Sequence, residues 1–306
     1  MTDPELDTYV EQLRKEMKGV GIDEVNLIKI TSENKLNARL KIRAQYKSTY
    51  DRDLLDDFKS ELTGNFLELM LGLYMDIYEY DAEQIHKSIE GLGDNEDTLI
   101  EIIGTRPGWM LKKIKEEYRG KYQSELEDDI TIDISGDFQK LLLSLLTSTR
   151  SENKNPDKEK CTQIAKELSD AGGKQGAEAD IFDKYFGTSS PAELMTIARE
   201  FHRVSGGSLM DAIEKVFSGG ISKLIKTVFY ANISPSEYFA TRIHDALKDT
   251  RTDDKLLNRI IITRNEIDMP LVKEYYKLLY KKDIVEDLKD DINGSYKSLI
   301  VAMINK

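Results

Sequence analysis

The chain has 306 residues, with 44 Lys+Arg against 56 Asp+Glu and a formal net charge of −12. At 40% hydrophobic and 33% charged residues it can bury a sizeable core, which excludes gross disorder, while its acidity argues against nonspecific nucleic-acid binding. The single cysteine, Cys161, excludes an intramolecular disulfide framework and any multi-cysteine metal site, and three scattered histidines argue against a multi-histidine one.

In chain order, the opening "MTDPELD" is acidic and lacks an apolar core, so no signal peptide is expected there. Helical spacing then runs through the chain. Leu99, Ile102 and Ile103 share one face, as do Leu111, Ile114 and Tyr118. Aspartate or serine often precedes a helical run and glycine often follows one, as in "TRPGW" at 105–109. The richest apolar run, "LLLSLL" at 141–146, has the length of a buried helix, far below the ~18 residues of a membrane span. The longest polar stretch, "TSTRSENKNPDKEK" at 147–160, divides the chain into two halves.

Four copies of one pattern underlie this order. With Gly21, Gly93, Gly176 and Arg251 as zero points, position +25 holds Tyr46, Tyr118, Phe201 and Tyr276. Position +33 holds Leu54, Leu126, Leu209 and Ile284, and +43 holds Gly64, Gly136, Gly219 and Gly294. Position +45 holds Phe66, Phe138, Ile221 and Tyr296. The pattern predicts four units of about five helices, at 1–75, 76–147, 161–230 and 231–306, with a linker at 148–160.

Glycine loops open the second helix of each copy. The first reads Met17-Lys18-Gly19-Val20-Gly21-Ile22-Asp23-Glu24, the second Ile89-Glu90-Gly91-Leu92-Gly93-Asp94-Asn95-Glu96. Forty residues after the second glycine stands an acid, Glu61 in one copy and Asp133 in the other. Alternating glycines let backbone carbonyls face outward. Carbonyls with one distant carboxylate suit Ca²⁺, which takes six to eight oxygens and tolerates irregular geometry. Either loop alone is equally a tight turn with a helix-capping acid; two loops with acids at one spacing favour calcium.

"KGVGIDE" at 18–24 and "KSELTG" at 59–64 match the glycine loop and turn of the annexin repeat nearly letter for letter, and the chain resembles an annexin from about Leu6 to Ile304. Its divergent third and fourth copies and short N-terminal segment most resemble the alpha-giardins, annexin-like proteins of the flagellated protist Giardia. The resemblance implies an all-α fold: four annexin-type repeats of about five helices each, packed in two halves as a curved disc. It places calcium ligands on the carbonyls of Met17, Gly19 and Gly21 with Glu61, and of Ile89, Gly91 and Gly93 with Asp133. Glu24 matches a side chain that can hold an auxiliary ion. The third copy has Val216 where the acid is expected, with Glu214 pointing elsewhere; the fourth has Asp249 and Arg251 for its glycines and retains Asp291. Both sites are expected to be weak or absent.

The implied function is calcium-dependent binding to acidic phospholipid membranes, at a cytoplasmic, peripheral location on the inner face of the plasma membrane. The rival expectation is a cytoskeletal or flagellar scaffold with cytoskeletal protein partners and calcium secondary, since alpha-giardins associate with both membrane and cytoskeleton. Asp81, Glu101, Arg106, Arg259 and Asp268 match charges at the centre of the annexin disc; a buried salt-bridge network is the preferred reading over an ion path. Asp76, Glu79 and Asp81 read as a solvated linker rather than an extra cation site, and Trp109 as closing a helix pair rather than touching lipid. His86, His202 and His244 have no nucleophile partner at any motif spacing, and "GVGIDE" lacks the strand and the Gly-Lys-Ser/Thr of a phosphate loop. No enzymatic activity and no nucleic-acid partner are expected.

Overall fold

The computed structural model describes residues 3–17, 22–90, 96–147, 150–172, 184–288 and 292–306. Every regular element among them is helical. The first copy holds α1 (Asp3–Glu16), α2 (Glu24–Glu33), α3 (Leu36–Tyr50), α4 (Leu54–Glu61) and α5 (Gly64–Leu73). The second holds α6 (Ile77–Glu90), α7 (Glu96–Thr105), α8 (Gly108–Tyr122), α9 (Leu126–Asp133) and α10 (Gly136–Thr147). In the third are α11 (Lys158–Gly172), α12 (Pro191–Ser205), α13 (Leu209–Val216) and α14 (Gly219–Ile233). The fourth comprises α15 (Pro235–Lys248), α16 (Asp254–Arg264), α17 (Met269–Tyr280), α18 (Ile284–Asp287) and α19 (Gly294–Ile304).

Local chemistry sets the helix ends. Asp23, Asp53, Ser190, Ser208 and Asp253 cap their helices by accepting a first-turn N–H, as expected for short polar side chains. "TRPGW" works differently from the expectation: Pro107 is the cap and Gly108 opens α8 instead of following a helix. The four glycines at +43 all take positive φ, from 56° to 74°, as each begins the last helix of its repeat. An added Cβ at any of them would meet nothing within 4 Å, so the conformation and not the space demands glycine.

The chain forms two compact units, 1–80 with 239–306, and 81–238. The first copy is thus partnered by the fourth and the second by the third, a division different from the one suggested by the polar linker. In the first unit α2 packs on α19, and α5 on α16 and α19; in the second α7 and α10 pack on α14. Small residues permit the close approaches. A Cβ on Gly72 would lie 2.2 Å from the Ile262 side chain, and one on Gly104 would lie 2.8 Å from Thr227. Leu27, Ile42, Phe58 and Leu69 are buried in the first unit, and Ile102, Ile103, Ile114, Leu142 and Leu224 in the second.

Candidate metal centre

Glu61 is the last residue of α4 and Asp133 the last of α9, and both are exposed. Each helix closes in the same way. The N–H of Leu62 donates to the Phe58 carbonyl at 2.8 Å, and that of Ile134 to the Ile130 carbonyl at 3.0 Å. Each acid is then followed within three residues by the left-handed glycine, Gly64 or Gly136. Met17 and Ile89 have buried side chains, which leaves the backbone as the group each can offer an ion. Gly19, Gly21, Gly91 and Gly93 lie outside the described residues.

The exit of the first loop is fixed by polar contacts. Glu16 accepts from the Asp23 N–H and the Asn26 amide, both at 3.2 Å, while Asp23 caps α2 through the Asn26 N–H at 3.0 Å. Glu24 accepts a hydrogen bond from Ser295 of the fourth repeat. Two residues that adjoin the site residues in the chain also stand out to solvent: Val25, next to Glu24, is 76% exposed, and Ile132, next to Asp133, is 78% exposed. Their signal was present as apolar residues off the core-facing stripe, one after the loop and one before the acid.

A polar staple fixes the short helix before the last one in three of the repeats. Tyr46 on α3 donates to Asp57 on α4 at 2.5 Å, Tyr118 on α8 to Asp129 on α9 at 2.7 Å, and Tyr276 on α17 to Asp287 on α18 at 2.7 Å. Arg14 on α1 adds a 2.9 Å bond to Asp57, and His86 on α6 shares a 3.1 Å hydrogen bond with the Tyr118 hydroxyl. His86 and His244, at matching positions, stack on Tyr122 and Tyr280 with ring centroids 3.5 and 3.7 Å apart. Burial and the Asp57 carboxylate push the Tyr46 hydroxyl up to about 12. At Asp57 burial alone would raise the carboxyl, but hydrogen bonds from Arg52 and Tyr46 outweigh it and hold it below its ordinary value. In the third repeat the equivalent positions are Ser169, Phe201, Ser205 and Ala212, so the whole staple is gone along with the acid.

Val216 ends α13 at the place of Glu61 and Asp133, and Glu214 is engaged by Lys226 at 2.5 Å. In the fourth repeat Arg251 is exposed, and Asp291 lies outside the described residues. The acidic segment 75–83 is not a solvated linker. Asp76 accepts the Tyr78 N–H at 2.9 Å, Glu79 pairs with Arg43 at 2.9 Å, and Asp81, fully buried, receives two bonds from Arg106 at 2.7 and 3.0 Å. Glu101 and Arg259 are also buried, and Asp268 pairs with Arg264 at 2.6 Å. Trp109 does not close a helix pair either: it is 60% exposed, because Pro107 starts α8 with its first turn facing outward into a cavity. Among the described residues no three His, Cys, Asp or Glu side chains gather as a metal cage, so an ion at Glu61 or Asp133 would draw on backbone oxygens.

Comparison with known proteins places these features in context. The annexin family model matches residues 8–73, 80–145 and 238–303. Over 297 residues the chain is 34% identical to human annexin A7, covering 97% of this chain and 61% of that protein, so it spans about three fifths of that relative's length. It is 34% identical over 302 residues to annexin A13 of the dog, Canis lupus familiaris, covering 98% and 96% of the two chains. The solved structure of annexin III superposes with a TM-score of 0.95 at 32% identity, over 100% of this chain and 95% of the other. The calcium-bound structure of alpha-14 giardin, at 20% identity and a TM-score of 0.84 over 97% and 99% of the chains, shares the fold.

Proposed function

Since the chain belongs to the annexin family, we propose that it binds acidic phospholipid membranes in a calcium-dependent manner through its first and second repeats. The observation that carries this reading is the matched placement of Glu61 and Asp133. Each is an exposed carboxylate at the end of a short helix, stapled from behind and followed by a left-handed glycine. The donor set fits calcium. It offers a hard carboxylate with backbone oxygens from Met17 and Ile89 and the glycine loops, and no thiolate or imidazole.

A chain of net charge −12 is repelled by an anionic leaflet, which attracts basic segments instead. Calcium held at these loops supplies coordination positions that a lipid phosphoryl oxygen can fill. Glu61 and Asp133 hold the charge in place, while Val25 and Ile132 present apolar surface beside it. Affinity for ion and for lipid then rise together, as linkage requires. Among the described residues no helix is long and apolar enough to cross a membrane, and the reading is of a peripheral protein at the cytoplasmic face of the plasma membrane.

The scaffold reading, with cytoskeletal or flagellar partners and an alpha-giardin affinity, draws on one observation: the third repeat has lost both its acid and its staple while its four described helices remain. Sedimentation with phosphatidylserine liposomes, in calcium or in chelator, separates the two. The double variant Glu61→Gln, Asp133→Asn should lose calcium-dependent sedimentation with its thermal unfolding in chelator unchanged, since both side chains are exposed. A double variant that still sediments only with calcium sinks the bridging role of these two loops.

A further inference from the structure

A cavity of about 1180 Å³ opens in the second unit between the start of α8, the segment 150–154 and the start of α12. Its wall is cationic in an acidic chain, with five Lys or Arg side chains against three carboxylates. Two of the five are already engaged, Lys115 by Glu127 and Arg119 by Glu125. Lys112 and Lys154 are exposed and pair with no carboxylate among the described residues. Arg150 is the unusual group. Its Nη2 is buried and has no hydrogen-bond partner among the described residues, and burial alone pulls the guanidinium down to about 10. A cation held that way is destabilising unless an anion answers it.

The wall is fixed. The Ser151 N–H donates to the Thr188 carbonyl at 2.8 Å and the Ser190 hydroxyl to the Asn153 carbonyl at 2.7 Å, so the polar stretch after the second repeat is pinned to the third. The two helix starts at the cavity differ. Ser190 and Glu193 form a capping box on α12, whereas no side chain caps α8 at Pro107. The cap residue therefore leaves the positive end of a 15-residue helix unanswered by its own side chain where it opens into the cavity. Trp109, in the first turn of α8, adds an exposed aromatic face to the same wall.

We propose that this cavity binds a small organic phosphate, with the phosphate on Arg150 at the uncapped start of α8 and the organic part against the Trp109 ring. A guanidinium matches two phosphate oxygens at once, and Lys112 and Lys154 supply the further charge that distinguishes a phosphate monoester from a single carboxylate. The site uses none of the loop residues or acids assigned to calcium, so it operates in chelator.

Trp109 is the chain's single tryptophan, so its emission reports on this wall alone. Phenyl phosphate titrated into the full-length protein in chelator should produce a saturable emission change, confirmed by calorimetry. Inorganic phosphate should bind more weakly, because it leaves the ring uncovered; equal affinity would remove Trp109 from the assignment. Arg150→Met should weaken phenyl phosphate at least tenfold, and should raise the melting temperature of the free protein by removing an unpartnered charge. The exposed pair Lys112→Gln, Lys154→Gln should weaken binding too, and gives the same test should Arg150→Met fold poorly. Phosphatidylcholine vesicles carrying phosphatidate, again in chelator, distinguish a lipid headgroup from a soluble phosphate: either bound in an Arg150-dependent way supports the site. No saturable change with any of these probes, or binding undiminished in both variants, overturns it.

Discussion

Tyr118 donates its hydroxyl to Asp129 across 2.7 Å, joining α8 to α9, the helix that ends in Asp133. The same bond recurs at Tyr46–Asp57 and Tyr276–Asp287, and both of its members disappear together at Phe201 and Ala212. A carboxylate left half-buried without its donor is costly, which explains why one partner is not kept without the other.

Tyr118→Phe should therefore destabilise the protein by about 1–3 kcal/mol, since Asp129 loses a donor and retains Ser124 at 2.7 Å. Urea unfolding reads the loss. Asp129→Ala alone should be damaging, and the pair Tyr118→Phe, Asp129→Ala should cost less than the two singles added. Strict additivity would show that the hydroxyl and carboxylate are not coupled.

Val216→Glu places a carboxylate at the end of α13, in register with Glu61 and Asp133. Calcium calorimetry should show one more binding event than the parent. Glu214 does not substitute for it in the parent, because Lys226 holds that side chain. An unchanged stoichiometry with the fold intact would locate the defect of this repeat in its loop at 172–178.

Arg39 is buried and donates to the carbonyls of Leu73 at 2.6 Å and Asn34 at 2.5 Å, with Glu266 of the fourth repeat at 3.3 Å. Arg39→Met strands several acceptors and should cost about 3–5 kcal/mol, read as an earlier denaturant midpoint. Arg39→Lys should rescue little, because a single ammonium cannot reproduce the fork. A conservative outcome for either variant would show that these bonds contribute nothing net.

Acid should weaken the protein through Asp57 and Asp287. Burial raises both carboxyls, but hydrogen bonds from Arg52 and Tyr46 at the first, and from Tyr276 and Lys282 at the second, hold both below their ordinary value. Their stabilisation is present above the unfolded carboxylate pKa of about 4 and is lost as pH falls through the lower folded value. Melting temperature should fall across that window, and Asp57→Asn should start lower at neutral pH and fall less steeply. A parent and variant with parallel acid limbs would exclude Asp57 as a source.

The repeat phase was legible because position +43 demands glycine in every copy, and the register could be counted from it. The left-handed C-caps at +30 were not, although they are equally regular: Asp51, Gln123 and Lys281 take φ of 51° to 61°, and only Gly206 advertises the conformation. The 40-residue spacing picked out Glu61 and Asp133, which end matching short helices and are exposed. The burial of Asp81 was legible only through the resemblance, which sets it with Arg106 in a buried network; its own acidic segment pointed to solvent, because the counter-charge is 25 residues away and nothing in the spacing marks the pair. Trp109 was misassigned for a related reason: an aromatic after a Pro-Gly turn says nothing about whether a helix or an open cavity lies opposite. The pairing of repeats was hidden too, since a long polar linker measures chain length and not which surfaces meet.

That pairing bears on how the chain is made. Leu36 donates its N–H to Glu266, a contact 230 residues apart, so the first repeat leaves the ribosome long before its partner exists. Residues 81–238 hold both members of their own pair and can close while synthesis continues. The first repeat must wait, with the face around Gly72 uncovered, until α16 and α19 arrive. A nascent chain stalled with residue 238 just outside the exit tunnel should show protease-resistant 81–238 and a labile 1–80. Equal protection of both would mean that the first repeat holds its structure without the fourth.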